Sequence, residues 1–279
     1  MNLKSIRSSR LLEWRVAVPG FFLLTILFCA LFADFIAPYH PTKQNLSMFL
    51  TPPNGDYWLG TDAFGRDILT RILYGGRVSL LVGMSSVALA MVIGVLLGIT
   101  SAMMEGWVGE AIMRLTDLFL SLPAVLIALA VAATIGPSLL NVIFIIGLLY
   151  WAPFARMVRA EALSIRELDY VQAAYAIGCN PFRVLFLHIL PNIINTVIVL
   201  ATLQIAAAIL LESTLSFLGV GVPPPTPTWG IMVADGRQYV ELGWWTVTFP
   251  GMAIMLTVLS INLLGDALRD FLDPKFSRR

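Results

Sequence analysis

Charge is scarce in this chain of 279 residues: Asp, Glu, Lys and Arg together make up 13%, against about a quarter in ordinary soluble domains. With 58% hydrophobic residues and a mean hydropathy of +0.83, the polar side chains cannot cover a water-exposed surface, so lipid must be part of the solvent. The 18 basic and 17 acidic residues nearly cancel, which excludes the broad positive field of a nucleic-acid binder. Two cysteines and two histidines leave little for a disulfide framework or a metal cluster. Three catalytic signatures are also missing: the phosphate-cradling G-x-x-x-x-G-K-[ST], the zinc motif H-E-x-x-H and the nucleophile elbow G-x-S-x-G. These absences argue against an enzyme acting alone, and any energy from nucleotide must come from a partner.

The charges that are present are unevenly placed. Charge-free runs cover Val16–Ala33, Val78–Met104, Leu118–Ala155, Ile189–Leu211 and Leu242–Gly265. Roughly 20 apolar residues suffice to cross the hydrocarbon core as a helix. The run from Leu118 is too long for one span, and Gly136-Pro137-Ser138 breaks it with turn chemistry. Six spans result, about 16–37, 79–102, 117–135, 139–156, 189–211 and 244–265. Each run is continuously apolar rather than alternating, which favours helices over barrel strands. Orientation follows the basic residues. With the N-terminus in the cytoplasm, that side holds Lys4, Arg7, Arg10, Arg15, Arg114, Arg156, Arg159, Arg166, Arg183, Arg269, Lys275, Arg278 and Arg279. The other side holds Lys43, Arg66, Arg71, Arg77 and Arg237. Both termini are then inside. No A-x-A site follows the first span, which is therefore read as a retained helix rather than a cleaved signal. Cys29 and Cys179 fall in a span and a loop and are not expected to pair.

Three loops carry information. In the first, Thr61 to Tyr74 places Ile68, Leu69, Ile72 and Leu73 on one helical face, with Asp67 and Arg71 as an i,i+4 pair. The expectation is an interfacial amphipathic helix leading into the second span, with a plain packing helix as the alternative. In the second, Asp169 is an N-cap with Gln172 as its capping-box partner. A helix Tyr170–Ile177 follows, Gly178 ends it, and Asn180-Pro181 restarts a helix. Ala173 and Ala174 give this short helix a small-residue face that another surface can approach closely. Docking and an ordinary amphipathic connector both remain open on spacing alone. In the third, Ser213–Val222 is apolar but too short to span, and the prolines at 223, 224, 225 and 227 force an extended segment. It is either a re-entrant element at the mouth or a simple loop. Polar residues inside spans are the default functional candidates. Asn141, Asn192, Asn195, Gln204 and Glu212 are taken as a candidate translocation path, with Asn262 also inside a span. Helix–helix hydrogen bonding is their commoner role.

Gln172-Ala173-Ala174, Gly178 and His188-Ile189-Leu190-Pro191 have the spacing of E-A-A, three residues, G, nine residues, I-x-L-P. In this the chain resembles the permease subunits of binding-protein-dependent ABC importers. Gln172 stands for the Glu and His188 for the Ile, which leaves the loop fold intact but removes any salt bridge a Glu would make. Leu59-Gly60-Thr61-Asp62 through Gly65-Arg66-Asp67 and Tyr74-Gly75-Gly76-Arg77-Val78-Ser79-Leu80 extend the resemblance to the dipeptide/oligopeptide/nickel branch, in its second, C-type permease. So do Ser216-Phe217-Leu218-Gly219-Val220-Gly221, Trp229-Gly230 and Gly265-Asp266-Ala267-Leu268-Arg269-Asp270.

The resemblance implies an all-α polytopic membrane protein of the type I importer permease (MetI-like) fold, with six transmembrane helices, in the bacterial cytoplasmic (inner) membrane. Its parts are a cytoplasmic segment 1–15, a first transmembrane helix 16–37, a periplasmic loop 38–77 with the amphipathic helix, a five-helix core 78–265 and a cytoplasmic tail 266–279. The core carries a cytoplasmic coupling loop 156–188 and a periplasmic loop 212–243. Implied partners are a second homologous permease as heterodimer, two ATPase subunits, an extracytoplasmic solute-binding protein and membrane lipid, with no nucleic acid. No catalytic, metal or cofactor residue is expected in this chain, and ATP and Mg are implied in the partners. Coupling to the ATPases is implied for Asp169, Gln172, Ala173, Ala174, Gly178, Pro181 and Pro191. The implied solute is a di- or oligopeptide. Alternatives are a nickel chelate, glutathione or a related small solute. An ATPase-independent channel or membrane receptor is a reading from another class, and an intramembrane enzyme a further one.

Overall fold

The computed structural model describes residues 3–104 and 106–272. Among the described residues eleven α-helices follow one another, and none lies in a β-sheet. They are α1 (Leu3–Leu31), α2 (Ala33–Ile36), α3 (Ile68–Met103), α4 (Trp107–Ser121), α5 (Ala124–Ile135), α6 (Leu139–Arg166), α7 (Asp169–Ala176), α8 (Pro181–Val184), α9 (Leu190–Phe217), α10 (Trp229–Gly236) and α11 (Trp245–Leu272). A π-helical turn, Leu185–Ile189, joins α8 to α9, giving one 37-residue rod from Pro181 to Phe217.

Four of these units are long and apolar enough to cross a membrane: α3, α6, the rod ending in α9, and α11. The pair α4 and α5 passes the same test together but is bent by 93°. The apolar part of α1, Val16–Leu31, is shorter than these. The third predicted span, 117–135, is therefore not a straight helix. Pro123 cannot continue α4, and Leu122 before it is forced to extended backbone (φ −98°, ψ 140°). The break at Gly136-Pro137-Ser138 lies as expected. Gly136 ends α5, and Ser138 caps α6 by accepting from the Asn141 amide at 3.0 Å.

The second span also differs from expectation. No separate amphipathic helix precedes it. Asp67 caps α3 by accepting from the Thr70 amide at 2.8 Å, and the helix runs unbroken from Ile68 to Met103. Ile68, Leu73 and Arg71 are buried, so this face packs within the protein, as the alternative reading had it. The expected i,i+4 pair of Asp67 with Arg71 does not form, because Arg71 turns to Asp62 and Asp235 instead.

The bundle is built on α3 against α6. Gly94 and Gly98 lie on the α3 face that meets it. A Cβ on Gly94 would lie 2.4 Å from Phe154 Cβ and 2.5 Å from the Trp151 carbonyl oxygen. Such small residues four apart let two helix backbones approach closely in lipid. Around this pair, Val82, Val142, Ile146, Val158, Ile193 and Leu215 form one buried cluster. A second cluster sets α1 against α11 through Ala30, Leu27 and Ile261. Helices α3 and α6 run in the same direction, Gly94 meeting Phe154 and Gly98 meeting Val158, and the bent α4–α5 pair returns the chain between them, so the bundle has two ends. One gathers the segments 32–67, 136–138 and 218–244. The other gathers Met104, Gly106 and the α6–α9 connection. Both cysteines are free. Lys275, Arg278 and Arg279, which entered the orientation argument, lie outside the described residues, as do the side chains of Lys4, Arg7, Arg10 and Arg15.

Candidate functional site

The connection between α6 and α9 is built from local chemistry. Helix α7 ends in two hydrogen bonds: the Cys179 amide donates to the Ala174 carbonyl and the Gly178 amide to the Tyr175 carbonyl, both at 3.0 Å. This is a Schellman turn, and it needs a residue in the left-handed region. Gly178 supplies it with φ +85° and has no atom within 4 Å of where a Cβ would stand. The Asn180 side chain then accepts from the Phe182 amide at 2.9 Å, and Pro181 sits in the first turn of α8. Both restart signals read in the sequence are in place.

The start of α7 differs. Leu168, not Asp169, is the N-cap, and no side chain caps it; Asp169 lies in the first turn. Gln172 is not a capping-box partner, because its Nε2 reaches back to the Arg166 carbonyl at 2.8 Å. The small-residue face is half of what was expected: Ala173 is exposed, whereas Ala174 is buried against the bundle with Val171. The outward surface is instead apolar. Ile177 is 80% exposed and Phe182 71%, flanking the Gly178 turn, while Pro181 and Pro191 are also exposed. Sequence reasoning missed Ile177 and Phe182, whose apolarity next to a turn was the available signal.

A second missed feature joins α7 to α9. The Asn192 side chain donates to the His188 carbonyl at 2.6 Å and to the Tyr170 hydroxyl at 3.3 Å. The Tyr170 and His188 rings meet edge to face at 5.9 Å. His188 sits in the π turn, and such turns recur at functional sites.

The candidate path residues are not brought to one wall. Asn141 closes the end of α5, donating to the carbonyls of Ile135 and Gly136 at 3.1 and 2.9 Å. Asn192 belongs to the α7–α9 joint, with Asn195 exposed beside it. Gln204 is half-buried in mid-helix. Glu212 lies at the opposite end of α9, about 30 Å from Asn192 at 1.5 Å per residue.

At that opposite end the other sequence segments converge. Asp62 accepts from the Phe64 and Arg66 amides at 2.8 and 3.0 Å, and from Arg66 Nε at 2.6 Å. Arg66 and Arg71 are buried and share Asp62 and Asp235. Partial burial pushes the Asp235 carboxyl up, against the pull of Arg71 and Arg66. Trp229 donates its indole N–H to the Ile72 carbonyl at 2.9 Å, and Trp245 donates its own to the Thr61 carbonyl at 3.0 Å. Deeper, Ser79 and Ser216 donate to the two carboxyl oxygens of Glu212 at 3.3 and 2.8 Å, and the Trp229 amide donates to Ser79. The segments 59–67, 74–80, 216–221 and 229–230 thus form one polar knot that ties α3, α9, α10 and α11 together. Beside it opens a cleft of about 420 Å³ lined by residues of the 62–71 segment, the end of α9 with the turns that follow it to Pro224, and α10.

Among the described residues no group of three or more His, Cys, Asp or Glu side chains is placed to hold a metal ion. Residues 94–278 match the family described as binding-protein-dependent transport system inner membrane component, and residues 9–53 match the N-terminal transmembrane domain of oligopeptide transport permease C. The di/tripeptide transport system permease protein DppC of Pseudomonas aeruginosa is 45% identical over 91% of this chain and 86% of its own. The dipeptide transport system permease protein DppC of Alkalihalophilus pseudofirmus is 42% identical over 94% and 86%. The probable D,D-dipeptide transport system permease protein DdpC of Escherichia coli is 41% identical over 91% and 85%. Among solved structures, the inward-facing MetNI methionine ABC transporter matches 73% of this chain and 97% of its own, with TM-score 0.59 and 18% identity, a likeness of fold alone.

Proposed function

The chain belongs to the family of binding-protein-dependent transport system inner membrane components, and from this premise we propose that it is the C-type permease subunit of an ATP-driven importer of short peptides. The names of relatives at 41–45% identity over nearly the whole chain carry the peptide reading. The end bearing α7 lies in the cytoplasm, with both termini, and the end bearing the polar knot lies outside. The excess of basic residues on the α7 side supports this orientation.

The α7 helix, with Ile177, Phe182 and Ala173 outward, docks in a groove of an ATPase subunit. ATP and Mg are held by that partner. Closure of the ATPases pushes α7, the Tyr170–His188–Asn192 joint passes the displacement to α9, and the bundle rocks between inward- and outward-facing states. A second, homologous permease completes the path, and a loaded binding protein docks on the outer loops. This chain performs no chemistry.

Uptake of a labelled dipeptide by cells lacking only this chain tests the proposal. Restored uptake on re-expression, together with co-purification of ATPase and second permease, is the expected result. Transport by the isolated chain without an ATPase would point instead to a channel.

A further inference from the structure

The cleft of about 420 Å³ beside the polar knot has the size of a small-ligand site. Its charged lining is Asp62, Arg66, Arg71, Asp235 and Arg237, with Asp62 paired to both Arg66 and Arg71. Asp235 and Arg237, two residues apart where α10 ends, both line it. The Asp235 side chain is 41% exposed, and its contacts with Arg66 and Arg71 are long, 3.5 and 4.0 Å, and both go to Oδ2. Arg237 forms no ion pair among the described residues; its guanidinium rests 4.8 Å over the Phe217 ring, a stack that leaves its N–H groups free to donate. The lining also includes the apolar Ile231, Met232 and Val222.

A ligand matching Asp235 and Arg237 carries both an ammonium and a carboxylate, with apolar groups to meet the rest of the lining. A simple anion would be opposed by Asp235, and a simple cation by Arg237. We propose that the cleft is a low-affinity subsite for a zwitterionic short peptide, with Asp235 facing its N-terminal ammonium and Arg237 its C-terminal carboxylate. The inference rests on the peptide-importer reading and adds a second recognition point, in the permease itself. The buried pairs of Arg66 and Arg71 with Asp62 keep the cleft wall rigid, so the ligand meets a preformed site.

The test uses the assembled transporter in nanodiscs without its binding protein, titrated with a fluorine-labelled dipeptide and followed by fluorine line broadening. The free dipeptide binds in the millimolar range. N-acetylation weakens binding about tenfold, and so does C-amidation, a loss of one charge pair each. In Asp235→Asn, N-acetylation costs nothing further while C-amidation still does. Arg237→Gln shows the reverse. Variants are compared only where the complex elutes intact, and this crossed pattern is one that misfolding cannot produce. Absence of dipeptide binding, or equal blocking costs in both variants, overturns the inference. So does unchanged dipeptide binding by both variants together with weakened binding of the binding protein when it is added back, which makes the cleft a docking surface. Dipeptide uptake by the intact system is measured in parallel. If uptake persists while the cleft fails, the importer reading stands and the subsite falls.

Discussion

Ser79 and Glu212 lie 133 residues apart in sequence, yet the Ser79 hydroxyl stands 3.3 Å from a Glu212 carboxyl oxygen, and Glu212 has no solvent exposure at all. A buried carboxyl in lipid-facing architecture is retained only where its oxygens are satisfied. Here Ser216 donates to the second oxygen at 2.8 Å, and the Ser79 hydroxyl also receives the Trp229 amide. The contact therefore pins α10 onto α3 and α9.

If Glu212 is such a pin rather than a charge on the path, a neutral amide should replace it. Glu212→Gln is expected to keep dipeptide uptake within about threefold, because each hydroxyl can reverse from donor to acceptor. Glu212→Leu removes the acceptor of the Ser79 and Ser216 hydroxyls and should lower stability by about 1–3 kcal/mol, read as a drop in the thermal unfolding midpoint of the purified complex. Loss of uptake in an assembled Gln variant would show that the charge itself is used.

Arg66 should be intolerant of both Ala and Lys. Its guanidinium bonds Asp62 at 2.6 Å and reaches Asp235 at 3.5 Å from inside the protein. Removing one partner of a buried pair typically costs about 3–5 kcal/mol, and a lysine ammonium cannot fork to two carboxylates. By contrast, Arg114→Ala should be silent, since its 3.1 Å pair with Glu110 is largely exposed. Resistance of the outer loops to protease, compared across the three variants, checks this.

Tyr170→Phe removes the hydroxyl that receives Asn192 while leaving the ring against His188. Loss of one such bond, about 0.5–1.5 kcal/mol, should lower peptide moved per ATP hydrolysed by about two- to tenfold, without preventing assembly. An unchanged ratio would remove the joint from the coupling route.

Gly178 is a conformational requirement of the turn. A left-handed residue other than glycine costs about 1–2 kcal/mol, with asparagine the best tolerated. Gly178→Asn should retain most uptake. Gly178→Trp should insert normally yet abolish uptake, because the bulk projects from the outward face proposed to dock, where a Cβ at 178 has no neighbour within 4 Å. Normal uptake in Gly178→Trp would exclude that face from coupling.

What was legible in the sequence was local. Gly136-Pro137-Ser138 and Gly178-Cys179-Asn180-Pro181 announce their turns because φ and capping are decided within four residues. The apolar runs announced the spans because lipid demands length. Pro123 was legible in principle but was hidden inside a longer apolar run. The Asp169 cap failed because Leu168 already has extended backbone and Gln172 found the Arg166 carbonyl. Arg66 with Asp235, 169 residues apart, and Ser79 with Glu212 depend on how helices meet, which no spacing rule reports. The five candidate path residues were chosen by polarity alone, and Asn141 and Asn192 turned out to hold local turns together.

The central claim is that the α7 turn is the docking element for an ATPase in the cytoplasm. A photoreactive amino acid at Ile177, 80% exposed beside Gly178, tests it in intact cells, with the same group at Trp58, 72% exposed at the opposite end, as the control. Capture of an ATPase subunit from position 177 and none from position 58 is the predicted result. Capture from position 58, or none from position 177 in cells that import the peptide, would contradict the account.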